Sequence, residues 1–178
     1  MTVLLMSGPI ATGKTAAAAE IARLQPAQLI KVRLALAELL GLESRDRLTL
    51  QRRGAELDHR TAGRWLRDYI QEHRQPGVFI VIDALRTEQQ TLPILESITD
   101  SRLVFLEAHE TTRRARYAQG AKSDPVKASV NFDTAMHHVT ETEVQRLRAM
   151  AHVVVETDEL DPASVAEEVL RELGWVRD

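Results

Sequence analysis

The chain has 178 residues, 23 Lys and Arg against 26 Asp and Glu, and a formal net charge of −3, so one compact domain spanning 1–178 is expected and general adhesion to nucleic acid is not favoured. Its 44% hydrophobic and 28% charged residues suit a globular protein, and every apolar run is broken well short of the roughly 18 residues a membrane span needs. There is no cysteine, which excludes structural zinc sites built on cysteine thiolates and, with no basic leader before Thr2, makes a cytoplasmic home the default expectation.

In chain order, Val3-Leu4-Leu5-Met6 is a short apolar run that stops at Ser7-Gly8, and the alanine-rich stretch from Lys14 to Leu24 has strong helix propensity. This predicts strand, loop and helix. Leu29 to Val32 predicts a second strand, and Leu34 to Leu40 a helix stopped by Gly41. From Ser44, a candidate N-cap, to about His73 the spacing is helical, with Gly54 and Gly63 as candidate breaks. Val78-Phe79-Ile80-Val81-Ile82 is continuously apolar between Pro76-Gly77 and Asp83, which predicts a central strand covered on both faces. Leu103 to Leu106 and Val153 to Val155 repeat this character, and Ala163 to Leu173 closes as a helix before Gly174. Strands alternating with helices predict an α/β fold, a five-stranded parallel sheet with helices on both faces.

Gly8-Pro9-Ile10-Ala11-Thr12-Gly13-Lys14-Thr15 matches G-x-x-x-x-G-K-[ST] and lies between a predicted strand and a predicted helix. Glycines let the backbone wrap phosphates, whose charge meets amide N–H groups and the positive end of the following helix. Gly8, Ala11, Thr12, Gly13, Lys14, Thr15 and Ala16 are therefore the expected nucleotide-binding residues of a P-loop. Lys14 reaches the β- and γ-phosphates and Thr15 gives its hydroxyl to Mg²⁺, so ATP and Mg²⁺ are the expected cofactors. The guanine-reading N-K-x-D of GTPases and the L-S-G-G-Q of transporter ATPases are absent, and the chain is short for AAA+ or helicase cores. A small kinase remains.

Three further segments follow in order: Ser44-Arg45 through Leu50-Gln51 with Gly54-Ala55-Glu56-Leu57 and Gly63-Arg64-Trp65; Asp83-Ala84-Leu85-Arg86; and His138, Glu141 and Glu143 before the last strand. In this order they resemble the nucleoside and deoxynucleoside monophosphate kinases of the P-loop group, and dephospho-coenzyme A kinase. The resemblance implies a P-loop NTPase fold with a helical acceptor-binding region at about 33–75 and a short lid at about 113–130. It implies that Arg45 and Arg86 bind the acceptor's phosphate and Gln51 its base. Asp83, at the carboxyl edge of a buried strand, either contacts Mg²⁺ through water or caps the next helix around Thr87. Arg113 and Arg116 would come from the lid to neutralise the transferring phosphoryl group. The expected catalytic set is thus Lys14, Asp83, Arg113 and Arg116, and the metal set Thr15 and Asp83.

Ala84 stands where these kinases have glycine, Gln119 where the lid often has arginine, and His152 where an Asp precedes the last strand. The expected function is ATP- and Mg²⁺-dependent phosphotransfer to a nucleoside or deoxynucleoside monophosphate. Two alternatives stay open: a kinase of a hydroxyl acceptor (nucleoside, coenzyme precursor or modified nucleobase) with Asp83 as base, and a non-catalytic nucleotide-binding protein. The expected partner is a small-molecule nucleotide, with no membrane and no nucleic acid. The oligomeric state is open, a homodimer included.

Overall fold

The computed structural model describes residues 2–42, 47–122, 130–137 and 139–175. Five strands, β1 (Val3–Ser7), β2 (Ala27–Lys31), β3 (Phe79–Asp83), β4 (Ser101–Glu107) and β5 (Val153–Glu156), form a parallel sheet in the order β2-β3-β1-β4-β5. The described helices are α1 (Lys14–Leu24), α2 (Val32–Leu39), α3 (Arg47–Thr61), α4 (Arg64–His73), α5 (Glu88–Ser97), α6 (Glu110–Ala121), α7 (Phe132–Met136), α8 (Val139–Arg146) and α9 (Pro162–Glu172). The sheet and its strand count agree with the sequence reading. β3 is interior, yet β1 takes the middle place, between β3 and β4. Both runs are apolar on both faces, so hydrophobicity alone does not rank them.

The strands sort their side chains by alternation, because successive residues point to opposite faces. Val3, Leu5, Ile80, Ile82, Leu103 and Phe105 enter one core with α2 to α5 and α8, through Leu36, Leu50, Trp65, Ile70, Ile94 and Val144. Leu4, Met6, Val81, Val104 and Leu106 enter the other, against Ala17, Ala18 and Ile21 of α1 and Val165, Ala166, Val169 and Leu170 of α9. Each fully buried aliphatic side chain stabilises the fold by about 1.5–3 kcal/mol. A third, smaller cluster joins Ile10 of the loop after β1 to Tyr117, Phe132 and Ala135.

Local deviations have identifiable causes. β2 ends at Lys31 and α2 begins directly at Val32, so tertiary packing overrides the β preference of this branched residue. α3 runs through Gly54 without a break, and a Cβ there would meet Leu36 Cδ2 at 3.1 Å; the glycine permits close approach of α2 and α3. Gly63, at φ 72, does separate α3 from α4, and a Cβ on it would lie 1.8 Å from the Gln89 carbonyl oxygen. The Ser44 cap falls outside the described residues. α5 is capped by Thr87, whose side chain accepts the Gln90 N–H, so Asp83 is not that helix's cap. Among the described residues no helix is long and apolar enough to cross a membrane.

Candidate functional site

The loop between β1 and α1 lies at the carboxyl edge of the sheet, where open α/β sheets bind ligands. Its course needs unusual backbone angles. Gly8 has φ 137, and a Cβ there would stand 2.1 Å from the carbonyl oxygen of Leu106 in β4, so the loop leaves β1 hard against the neighbouring strand. Gly13, at φ 92, caps α1, and Ala11 holds φ 63, a conformation costing a residue with a Cβ roughly 1–3 kcal/mol that its surroundings must offset. Ala11 packs against the Ile10, Tyr117 and Phe132 cluster. Ser7 Oγ donates to Leu85 O at 2.9 Å and Thr12 Oγ1 to Pro9 O at 3.1 Å. The loop is thereby tied at both ends, with the N-terminal amides of α1 aimed out of it.

Lys14 is only 6% exposed. Its Nζ donates to Pro9 O at 2.5 Å and to Thr12 Oγ1 at 3.3 Å. Burial, and then the Arg86 guanidinium, pull its ammonium down from the ordinary 10.5 to about 7, against the opposing charges of Glu141 and Asp83. Thr15 Oγ1 donates to Asp83 Oδ1 at 3.3 Å, which brings the two expected metal residues together from α1 and β3. Two oxygens suit Mg²⁺, which completes its shell with phosphate and water rather than a protein cage. Among the described residues no group of three His, Cys, Asp or Glu is placed to hold a metal ion by itself. In register, Asp83 stands between Met6 of β1 and Lys31 of β2, so Lys31 shares this edge, a neighbour the sequence alone did not single out.

Arg86, on the turn after β3, keeps 32% of its side chain exposed while its Nη1 donates to Glu141 Oε1 at 2.6 Å. Glu141 Oε2 accepts the backbone N–H of Ile10 in the loop at 2.7 Å. Arg113 is buried on α6; it donates to Ala108 O and contacts Met136 Sδ, and its charge is felt at Lys14. Lys14, Thr15, Asp83 and Arg86 therefore share one site, and Arg113 lies within electrostatic reach of Lys14.

Arg116 does not join them. Its guanidinium donates to Thr157 Oγ1 at 2.9 Å and to Thr157 O at 2.5 Å, fixing the connection from β5 to α9. Arg114 points elsewhere, paired with Glu110 and Asp133. Gln51 is half-buried on α3 with no hydrogen bond to the loop, Asp83 or Arg86 among the described residues. Arg45 lies outside the described residues.

One of the departures is remote from the chemistry. His152 precedes β5, where its Nδ1 accepts the Leu103 N–H at 3.0 Å and its own N–H donates to Leu103 O, extending the β4–β5 ladder at the amino edge. Burial and the nearby Arg102 lower its pKa. Gln119 is exposed on α6. Ala84, by contrast, directly follows Asp83 within the site.

Beside Thr87 opens a cavity of about 310 Å³ lined by Ala55, Asp58, Thr87, Gln89, Glu143 and Arg146, among others. Asp58 is held there by Trp65 Nε1 at 2.6 Å and Gln90 Nε2 at 2.9 Å, and burial raises its pKa. A larger cavity of about 660 Å³, between Gln25, Arg74, Phe79 and Trp175, lies at the opposite, amino edge of the sheet and holds none of this machinery.

A parallel five-stranded sheet with helices on both faces and a P-loop at its carboxyl edge is the fold of the P-loop kinases. Shikimate kinase from Aquifex aeolicus is similar at a TM-score of 0.64 with 16% identity, over 97% of this chain and 96% of that one. The Deinococcus radiodurans tunicamycin resistance protein is similar at 0.62 with 14% identity, over 99% and 98%. APS kinase from Mycobacterium tuberculosis, solved with AMPPNP and APS, is similar at 0.62 with 12% identity, over 97% of each chain. At these identities the likeness is one of fold. Residues 73–175, more than half of the chain, match the RapZ-like N-terminal domain, and the chain belongs to that family. No curated protein sequence matches the chain. The resemblance to P-loop kinases thus stands at the level of fold and of this family, and none of these matches is to a nucleoside monophosphate kinase.

Proposed function

We propose that the chain is an ATP- and Mg²⁺-dependent phosphotransferase whose acceptor is a nucleoside or deoxynucleoside monophosphate. The observation that carries this reading is the Thr15–Asp83 hydrogen bond with Arg86 three residues further along the same turn, which sets two oxygens suited to Mg²⁺ and a part-exposed guanidinium beside one loop. Thr15 and Asp83 hold Mg²⁺, which when bound neutralises charge on the donor's β- and γ-phosphates. Lys14 and the first amides of α1 bind the same phosphates, and Arg86 binds the acceptor's phosphate through the N–H groups that Glu141 leaves free. Arg113 adds positive charge beside Lys14 as the phosphoryl group moves.

A phosphate acceptor is already an anion and needs no general base. This fits an Asp83 whose carboxylate is engaged with Thr15. The body of the acceptor occupies the cavity beside Thr87, where Asp58 and Glu143 favour groups that donate hydrogen bonds, such as base amino groups and sugar hydroxyls. Arg45 and Gln51 complete the acceptor side in this reading.

The test is a screen of nucleosides and of ribo- and deoxymononucleotides for ATP-dependent phosphorylation with Mg²⁺, read by phosphorus NMR. Transfer to at least one monophosphate is the expected result. Transfer to unphosphorylated compounds alone would replace the reading with a hydroxyl-acceptor kinase, and nucleotide binding without any transfer would replace it with a binding protein.

A further inference from the structure

Glu141 is 5% exposed, on a helix 131 residues away in sequence from the loop amide it binds. A buried carboxylate is costly unless its oxygens are paired. Both are paired here, and the two partners belong to different halves of the site: Arg86 Nη1 to Oε1 at 2.6 Å and Ile10 N–H to Oε2 at 2.7 Å. One is the guanidinium after β3; the other is an amide of the P-loop. We propose that Glu141 is a positioning residue that acts through Arg86, aligning it as an anion clamp in register with the P-loop.

The physical reason lies in the guanidinium. An arginine side chain left loose loses rotamer entropy when a ligand fixes it. A carboxylate that holds it beforehand removes that cost from the binding step. Arg86 has five N–H donors in a planar fork. The ion pair uses Nη1, and about a third of the side chain stays open to solvent. Among the described residues the remaining donors have no recorded partner and stay available to a phosphate, so the carboxylate supports the clamp rather than closing it. Because the same carboxylate holds Ile10, the clamp is referenced to the donor loop and not only to its own turn. Phosphoryl transfer demands such mutual placement of donor and acceptor.

The inference rests on the reading of Arg86 as the acceptor's clamp, and its test separates the two claims. Inorganic phosphate is titrated by calorimetry into the full chain with Mg²⁺ and ADP present, for the wild type, E141Q, R86A and the double variant. Glutamine at 141 is nearly isosteric but has one acceptor oxygen, so it cannot serve Ile10 and Arg86 together. E141Q is expected to weaken phosphate binding about tenfold or more, the loss that goes with a charge-assisted hydrogen bond. In the R86A background the same change is expected to add nothing, since residues acting through one another are non-additive.

Tighter phosphate binding by E141Q would overturn the proposal, because the carboxylate would then be a competitor for the anion. Additive losses would overturn it in favour of a general packing role, and so would a wild type that binds no phosphate. Should E141Q fail to fold by thermal melting, E141D enters the same cycle with the same expected non-additivity. If no acceptor is ever phosphorylated while the coupling holds, the phosphotransferase reading falls and the role of Glu141 remains.

Discussion

Thr157 Oγ1, at the end of β5, lies 3.1 Å from the carbonyl oxygen of Thr12 in the phosphate-binding loop. The same hydroxyl accepts from Arg116 Nη1 and lies 3.1 Å from Glu107 O. It is thus the point where β4, β5, α6 and the loop meet. Thr157→Val keeps the shape and deletes the hydroxyl, leaving buried polar groups without their partner. A loss of about 1–3 kcal/mol is expected, measured by denaturant unfolding, together with weaker binding of ATP. Unchanged stability would contradict the role given to this contact.

Lys14→Ala should abolish transfer, by about a hundredfold or more if Lys14 stabilises charge developing in the transition state. The fold should survive, since the ammonium's recorded hydrogen bonds are to its own loop. Activity and thermal melting are measured together, and near-normal turnover would exclude the assignment.

The pH dependence follows from the same residue. The folded pKa of Lys14 is about 7 against an ordinary 10.5. Between these values the unfolded chain binds the extra proton, so Lys14 makes stability rise with pH across that window and contributes no further change above it. ATP, if it binds as proposed, should restore the charged form, because its phosphates favour the ammonium. Binding at pH 8 should therefore take up a proton. Calorimetry in two buffers of different ionisation enthalpy reads this directly, and identical heats would refute it.

Gly8→Ala and Gly13→Ala test the loop's course. At Gly13 no atom lies within 4 Å of an added Cβ, so the cost is backbone strain alone, roughly 1–3 kcal/mol. At Gly8 the Cβ also meets the Leu106 carbonyl oxygen, and overpacking adds roughly 1–3 kcal/mol more. The melting temperature should fall further for Gly8→Ala. The reverse order would mean that the loop does not run against β4.

Arg113→Ala should lower kcat more than it changes either KM, because its charge matters most while the phosphoryl group is in transit. Steady-state kinetics with both substrates varied decides it. A pure KM effect would make Arg113 a ground-state ligand instead.

The loop, the five strands and the meeting of Lys14, Thr15, Asp83 and Arg86 are legible in the sequence because each rests on short-range order: a spaced motif, apolar runs, and residues one turn beyond a strand. What escapes it depends on distance along the chain. Arg113 and Arg116 sit one helical turn apart, yet Met136 and Phe132 border one while Thr157 holds the other. Glu141 sits in a polar stretch with nothing local to mark its carboxylate as the link between Ile10 and Arg86. Gly54 reads as a helix breaker until Leu36 is seen beside it.

The alternation of β1, β3 and β4 has an evolutionary consequence. Leu5 and Ile82 face α2 to α5 while Leu4 and Val81 face α1 and α9, so the two main interiors lie on opposite faces of the strands. Of the helices beside the Thr87 cavity, α3 and α5 can therefore be lengthened or repacked on their own side of the sheet, whereas α8 is tied to the loop through Glu141 and Ile10. Substitutions on α3 and α5 would then reshape that cavity while α1 and its loop keep their place against β1 and β3.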